Sequence, residues 1–214
     1  PFSDPLADGP ANQRAAERGL ESGTSLRSIL AMVERVRKHS DIPLALYSYL
    51  NPIYAFGVDR CFKALARAGF DGCLLVDLSM EESGPYISSM EAAGLNCINL
   101  VTPTTPEKRI PVIARHSSGF LYVVSRAGVT GEQSQLQDQA LPLLRRTQRH
   151  TDLPVALGFG VSSPDQARTY AEITDAVVVG SYIVNAYHEA GDHAEGRAKA
   201  TRKIKRLIKA VKEV

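Results

Sequence analysis

LPVALGFGVSSPDQARTYAEITDAVVVGS, residues 153–181, carries the repeating unit of the fold. An apolar run, Pro154–Phe159, ends in the turn Gly158-Phe159-Gly160. Ser163-Pro164-Asp165 then reads as a helix start, with proline at the first helical position. A second apolar run, Ala176–Gly180, ends in Gly180-Ser181. These runs are continuous rather than alternating, which suits strands of a parallel sheet buried on both faces.

The same unit recurs upstream, with strand-like runs at Leu44–Leu50, Cys73–Leu78, Cys97–Val101 and Phe120–Ser125. The six starts lie 29, 24, 23, 34 and 22 residues apart, the spacing of βα units. Between them, Ser25 suits the cap of a helix with Leu26, Ile29, Leu30 and Val33 on its core face, ending near His39. Met80 to Ala93, closed by Gly94, reads as another.

Six strands would serve an open doubly wound sheet or most of a closed barrel. No GxGxxG follows any strand, which weakens the dinucleotide-binding form of the open sheet. A (βα)8 TIM barrel needs two more strands, and at about 25 residues per unit these fill roughly 50 residues of a barrel of roughly 250. The expectation is one barrel domain over 1–214 carrying strands 3 to 8, with the first two strands absent from these residues. PFSDPLADGP, residues 1–10, is then the loop after the second strand.

Composition narrows the class. The chain is 44% hydrophobic and 22% charged, and no apolar run approaches the roughly 18 residues of a membrane span. Cys61, Cys73 and Cys97 have no CxxC spacing, and Cys73 and Cys97 sit in apolar segments as buried thiols would, which suits a reducing, cytoplasmic compartment. The net charge of +2 is uneven, because residues 195–214 hold eight basic and two acidic side chains. Ile204, Leu207, Ile208 and Val211 form one stripe there, so a helix packed on the body is expected rather than a nucleic-acid arm.

A barrel of this kind builds its site at the C-terminal ends of the strands. The glycines of residues 158–160 and 180–181, joined by Gly128 and Gly131 of SRAGVTG (125–131), suit a cup that holds a phosphate by backbone amides. No lysine sits in these loops. Asp4 and Asp8 lie at an earlier strand end, where a carboxylate can accept a ring N–H or stabilise positive charge, or simply cap a turn. Tyr49 and Tyr122 can line a pocket for a flat aromatic ligand, and Asp77 closes an apolar run where burying a carboxylate is costly. No HxH, HExxH or GxSxG motif occurs, and none of the six strands carries a lysine. What is left is carboxylate-driven acid–base chemistry on a phosphorylated substrate.

Taken together, PFSDPLADGP (1–10), YLNP (49–52), LLVDL (74–78), SRAGVTG (125–131), GFGVSSPDQ (158–166) and VVVGSYIV (177–184) resemble the tryptophan synthase alpha subunit family over essentially the whole chain. The resemblance implies a lyase that splits indole-3-glycerol phosphate into indole and glyceraldehyde 3-phosphate. It makes Asp8 the catalytic carboxylate on the indole nitrogen. It places Tyr49, Tyr122, Thr130 and Phe159 against the substrate and Gly131, Gly160, Gly180 and Ser181 at its phosphate. A second acid–base glutamate is expected about four residues before Pro1. The implied partner is a beta subunit in an αββα assembly. That partner carries pyridoxal phosphate, with no cofactor or metal in this chain. Loops around Pro52, Tyr54 and 102–106 lie where the family docks this partner, and 132–139 reads as a lid continuation. Alternatives at this level are a catalytically silent alpha-like subunit, a free-standing indole-releasing lyase, or another phosphate-binding barrel enzyme.

Overall fold

The computed structural model describes residues 1–124, 134–158, 160–190 and 192–212, with the backbone alone for 134–140. Its strands are β1 (Ala45–Ser48), β2 (Gly72–Leu75), β3 (Asn96–Cys97), β4 (Asn99–Val101), β5 (Leu121–Val124), β6 (Val155–Gly158) and β7 (Ala176–Val178). Every pairing is parallel, in the orders β1-β2-β3 and β4-β5-β6-β7. Only Ile98 separates β3 from β4, so they are two halves of one extended stretch. Its first half pairs back, Cys73 opposite Cys97, and its second half pairs forward, Asn99 opposite Leu121. The Ile98 N–H donates to the Cys73 carbonyl at 3.0 Å and the Ser118 N–H to the Cys97 carbonyl at 2.8 Å. The ladder therefore continues across the junction, giving six consecutive staves of a (βα)8 barrel.

Helices cover the outside: α1 (Pro10–Glu21), α2 (Leu26–Arg37), α3 (Leu50–Phe56), α4 (Val58–Ala68), α5 (Gly84–Ala92), α6 (Ile110–Arg115), α7 (Ser134–Gln148), α8 (Pro164–Ala171), α9 (Ser181–His188) and α10 (His193–Lys212). The core lies between strands and helices in two clusters, one around Phe62, Leu65 and Cys73, the other around Val101, Leu144 and Leu157. All three cysteines are buried in the first and unpaired. Burial raises each thiol, Cys61 and Cys97 to about 11, so they behave as apolar packing.

Local chemistry explains the helix boundaries. Ser25 caps α2 reciprocally: its hydroxyl accepts the Ser28 N–H at 3.3 Å, while Ser28 Oγ accepts the Ser25 N–H at 2.9 Å. Ser163 Oγ accepts the Gln166 N–H at 3.2 Å at the start of α8. The expected helix from Met80 begins instead at Gly84, because Pro85 suits a first turn and disfavours helix before it. Residues 80–83 form a turn in which Ser83 donates to the Met80 carbonyl. The C-terminal stripe is also corrected. Leu207 and Ala210 are buried where α10 packs on α8 and α9, but Ile204, Ile208 and Val211 remain 37–49% exposed.

The strand starts are pinned by side chains. Asp71, just before β2, accepts the Leu44 N–H at 2.7 Å, and Asp175 likewise accepts the Val155 N–H at 2.8 Å. Arg37 joins this end, bonding Asp71 at 2.6 Å and the Gly69 carbonyl at 2.7 Å. Gly69 ends α4 at φ +102°, where a Cβ would meet the Arg37 side chain at 2.6 Å. With their N-terminal ends fixed, the strands present their C-terminal ends as the variable face.

Candidate active site

The first strand stops earlier than its apolar run: β1 ends at Ser48 and α3 begins at Leu50. Tyr49 is therefore not in β1 but caps the N-terminus of α3 with its backbone. Its ring is 6% exposed and lies 5.3 Å from that of Phe2. The phenol oxygen accepts the Ala7 N–H at 3.0 Å and donates to Asp8 Oδ2 at 2.9 Å. Asp8 Oδ1 accepts Asn12 Nδ2 from the first turns of α1 at 3.1 Å. One carboxylate is thus held from two directions, by the strand end and by the following helix. Asp8 is not a helix cap: Gly9 holds that position, with no side-chain bond.

The other two aspartates do not join it. Asp4 is exposed, and its carboxylate accepts the neighbouring Ser3 hydroxyl at 2.6 Å. Asp77 accepts the Leu50 N–H at 2.7 Å, supplying α3 with the cap that Tyr49 lacks. The expected burial is corrected: Asp77 is exposed, so its carboxylate carries no burial cost and serves as this cap.

Two cavities meet beside Asp8. One, of about 270 Å³, lies between Phe2, Pro5, Asp8 and Tyr49. The other, of about 390 Å³, is the barrel interior, walled by Leu74, Ile98, Phe120, Tyr122 and Val178 and bordered by Gly180. Asn12 and Tyr47 line both. Among the described residues that line them, Asp8 is the one carboxylate.

Tyr122 projects inward from β5 and its ring lies over the backbone of β6. A Cβ at Gly158 would stand 2.0 Å from the Tyr122 hydroxyl and 2.2 Å from Cζ and Cε2. This revises the sequence reading of the residues 158–160 turn: its first glycine is a seat for an aromatic ring rather than part of a phosphate cup. Gly160 has φ +33°, and among the described residues other than their chain neighbours, nothing lies within 4 Å of where a Cβ would stand at Gly160 or Gly180. Gly180 caps α9 with its backbone, and Ser181 is the helix's first residue, so its leading amides have no acceptor within the helix. Gly180 borders the interior cavity, whereas Gly160 and Ser181 line neither cavity. Gly128, Thr130, Gly131 and Phe159 lie outside the described residues.

The electrostatics favour neutral phenols around one acid. Burial, then the bond to Asp8 and its charge, pushes Tyr49 up to about 12. Burial and then the Asp8 charge also raise Tyr47 and Tyr122. All three are hydrogen-bond donors at neutral pH, grouped at the mouth of an apolar chamber. Such a chamber suits a flat apolar ring with one N–H directed at Asp8, and the amides at the start of α9 suit an anion. No group of three or more His, Cys, Asp or Glu among the described residues could hold a metal ion.

Sequence reasoning missed Tyr47 and Asn12. Both had a positional signal: Tyr47 is two residues from Tyr49 on an extended segment, and Asn12 is four from Asp8 at a helix start.

A family model described as tryptophan synthase alpha chain matches residues 1–213. A tryptophan synthase alpha chain of Solibacter usitatus is 45% identical over 194 residues, 91% of this chain and 73% of that protein. One from Caulobacter sp. strain K31 is 44% identical over 214 residues, 99% of this chain and 78% of its own length. Among solved structures, one described as the basis of mutual activation of the tryptophan synthase a2b2 complex of Pyrococcus furiosus superposes with TM-score 0.89 at 36% identity, covering 98% of this chain and 84% of that one. A tryptophan synthase from M. tuberculosis in an aminoacrylate- and BRD0059-bound form gives 0.84 at 33% identity, over 99% and 78%.

Proposed function

The chain belongs to the tryptophan synthase alpha chain family, and on that premise we propose that Asp8 is the residue its lyase reaction turns on. The activity is cleavage of indole-3-glycerol phosphate to indole and glyceraldehyde 3-phosphate, in a complex with the beta subunit. Family membership does not favour a silent subunit or a different phosphate-binding barrel enzyme.

The indole ring lies in the barrel interior with its N–H directed at Asp8. Protonation of the ring at C3 creates an indoleninium cation, an electron sink for breaking the bond to the glycerol chain. Loss of the proton from the adjacent hydroxyl completes the retro-aldol cleavage. The Asp8 carboxylate stabilises the positive charge where it forms, beside an apolar chamber. Tyr49 and Asn12 hold it in place, so little reorganisation accompanies the reaction. Tyr122 supports one face of the ring. The phosphate end is assigned to backbone amides of Gly131, Gly160, Gly180 and Ser181, and the family resemblance assigns Thr130 and Phe159 to the substrate as well. Proton transfer at C3 and at the hydroxyl needs a second group, for which the family resemblance supplies the glutamate expected before Pro1. This chain's own step is assigned no cofactor, pyridoxal phosphate being the beta subunit's, and the compartment is assigned as cytoplasmic.

The observation that carries this reading is the doubly held Asp8 carboxylate, in a cavity that shares Asn12 and Tyr47 with the apolar barrel interior. Asp8→Asn in the full natural chain, assembled with the beta subunit, tests it. Turnover is expected to fall at least about 100-fold, as for a lost charge-stabilising group, while glyceraldehyde 3-phosphate still binds. Equal loss of both, or unchanged turnover, contradicts it.

A further inference from the structure

Tyr47 has no place in the reading above, yet its surroundings are distinctive. It is the third residue of β1, opposite Leu74 of β2, and is 51% exposed, its surface open to cavity space on both sides. It lines the Asp8 cavity and the barrel interior alike, so it forms part of the boundary between the carboxylate and the chamber. Tyr47 and Tyr49 are two residues apart, a spacing that puts both side chains on one side of an extended segment. Both phenols act on the same acid. Tyr49 donates to Asp8 Oδ2 at 2.9 Å, and the Tyr47 hydroxyl also interacts with the Asp8 carboxylate. Tyr49 is tied in place by the Ala7 N–H and fully enclosed, whereas Tyr47 borders open space. A carboxylate accepts about four hydrogen bonds, so the Asn12 and Tyr49 donors leave two sites, room for a second phenol and a ligand N–H.

We propose that Tyr47 is a positioning residue for Asp8, a second phenol that, with Tyr49, leaves one acceptor site of the carboxylate facing the barrel interior. It acts through Asp8 rather than on the ligand. The proposal rests on the assignment of Asp8 to the indole N–H, and the two fail in different ways. A charge-assisted hydrogen bond contributes about 1.5–3 kcal/mol, so losing one that orients the acid is expected to cost roughly 10- to 100-fold in kcat.

The test is a double-mutant cycle in the full natural chain assembled with the beta subunit: Tyr47→Phe, Asp8→Asn and the pair, each assayed for indole release. Tyr47→Phe keeps the ring and removes only the hydroxyl. It is expected to lower kcat about 10-fold or more with KM within about twofold, and to change the residual rate of Asp8→Asn less than about twofold. Binding of glyceraldehyde 3-phosphate, measured on the same samples, is expected to stay at its natural value, with the melting temperature lowered by no more than roughly 10 °C. An equal loss in both backgrounds, or a loss carried in KM, overturns the role given to Tyr47, as does an unchanged rate. If Asp8→Asn itself turns over normally, the Asp8 assignment falls, and the proposal falls with it.

Discussion

Gly158 is where packing geometry makes the sharpest demand on the site. An added methyl there would sit 2.0 Å from the Tyr122 hydroxyl and 2.2 Å from two carbons of its ring. Ordinary carbon contacts are about 3.5–4.0 Å, so Gly158→Ala must push the ring back by about 1.5 Å. The β6 backbone cannot yield instead, because it is paired on both sides, Tyr122 opposite Ala156 and Leu157 opposite Val177. Overpacking of this kind costs about 1–3 kcal/mol, which for a chain of this size lowers the melting temperature by roughly 2–10 °C. The ring can move only into the interior cavity, the space assigned to the indole, and a displacement of about 1 Å at a reacting site costs about 100-fold in rate. The assay is indole release by the full natural chain with its beta subunit, paired with a thermal melt. Gly158→Ala is expected to lose about 100-fold in kcat/KM, and adding Tyr122→Ala should recover the melting temperature without recovering activity. Natural activity and stability in Gly158→Ala would refute the reasoning.

Other expectations concern the scaffold and the pH response. Arg37→Ala removes bonds to Asp71 and Gly69 and should destabilise the protein by about 2–4 kcal/mol in denaturant titrations, with kcat/KM unchanged where the protein is folded. Asp77→Ala removes the borrowed cap of α3 and should cost about 1 kcal/mol, read as a fall in the urea midpoint. Tyr49 has its folded-state pKa raised from 10.0 to about 12, so the unfolded chain releases this proton first as pH rises. Its contribution to stability is complete below pH 10 and is lost progressively up to about pH 12. Melting temperatures should therefore decline more steeply above pH 10 in the natural protein than in Tyr49→Phe.

Much of the fold is legible in the sequence because strands buried on both faces leave continuous apolar runs, and all six such runs meet a strand. Their ends are less legible, since Tyr49, Asp77 and Gly180 continue the apolar pattern after the ladder has stopped. Composition does not mark where hydrogen bonding gives way to a turn. The stripe at Ile204 and Ile208 misleads for a related reason: periodicity identifies a face, but Leu207 and Ala210 make the contact. In the site, Asp8, Tyr49 and Tyr122 are found from their position at strand ends. Tyr47 escapes notice because a tyrosine inside a strand looks like packing. Gly158 is misread because a glycine that seats a ring and one that cradles an anion leave the same letter. Asp77 is singled out for the cost of its burial, yet it is exposed, because the chain turns after Leu75 and leaves the carboxylate at the surface to accept the Leu50 N–H.

The central claim is most directly tested by the structure of the full natural chain, with its beta subunit, bound to an uncleavable indole-3-glycerol phosphate analogue. The account predicts the ring nitrogen within hydrogen-bond range of an Asp8 oxygen, about 2.7–3.2 Å, with the indole in the barrel interior and the phosphate at the start of α9. An indole nitrogen more than about 4 Å from both Asp8 oxygens, or a phosphate held away from Gly180 and Ser181, would contradict it.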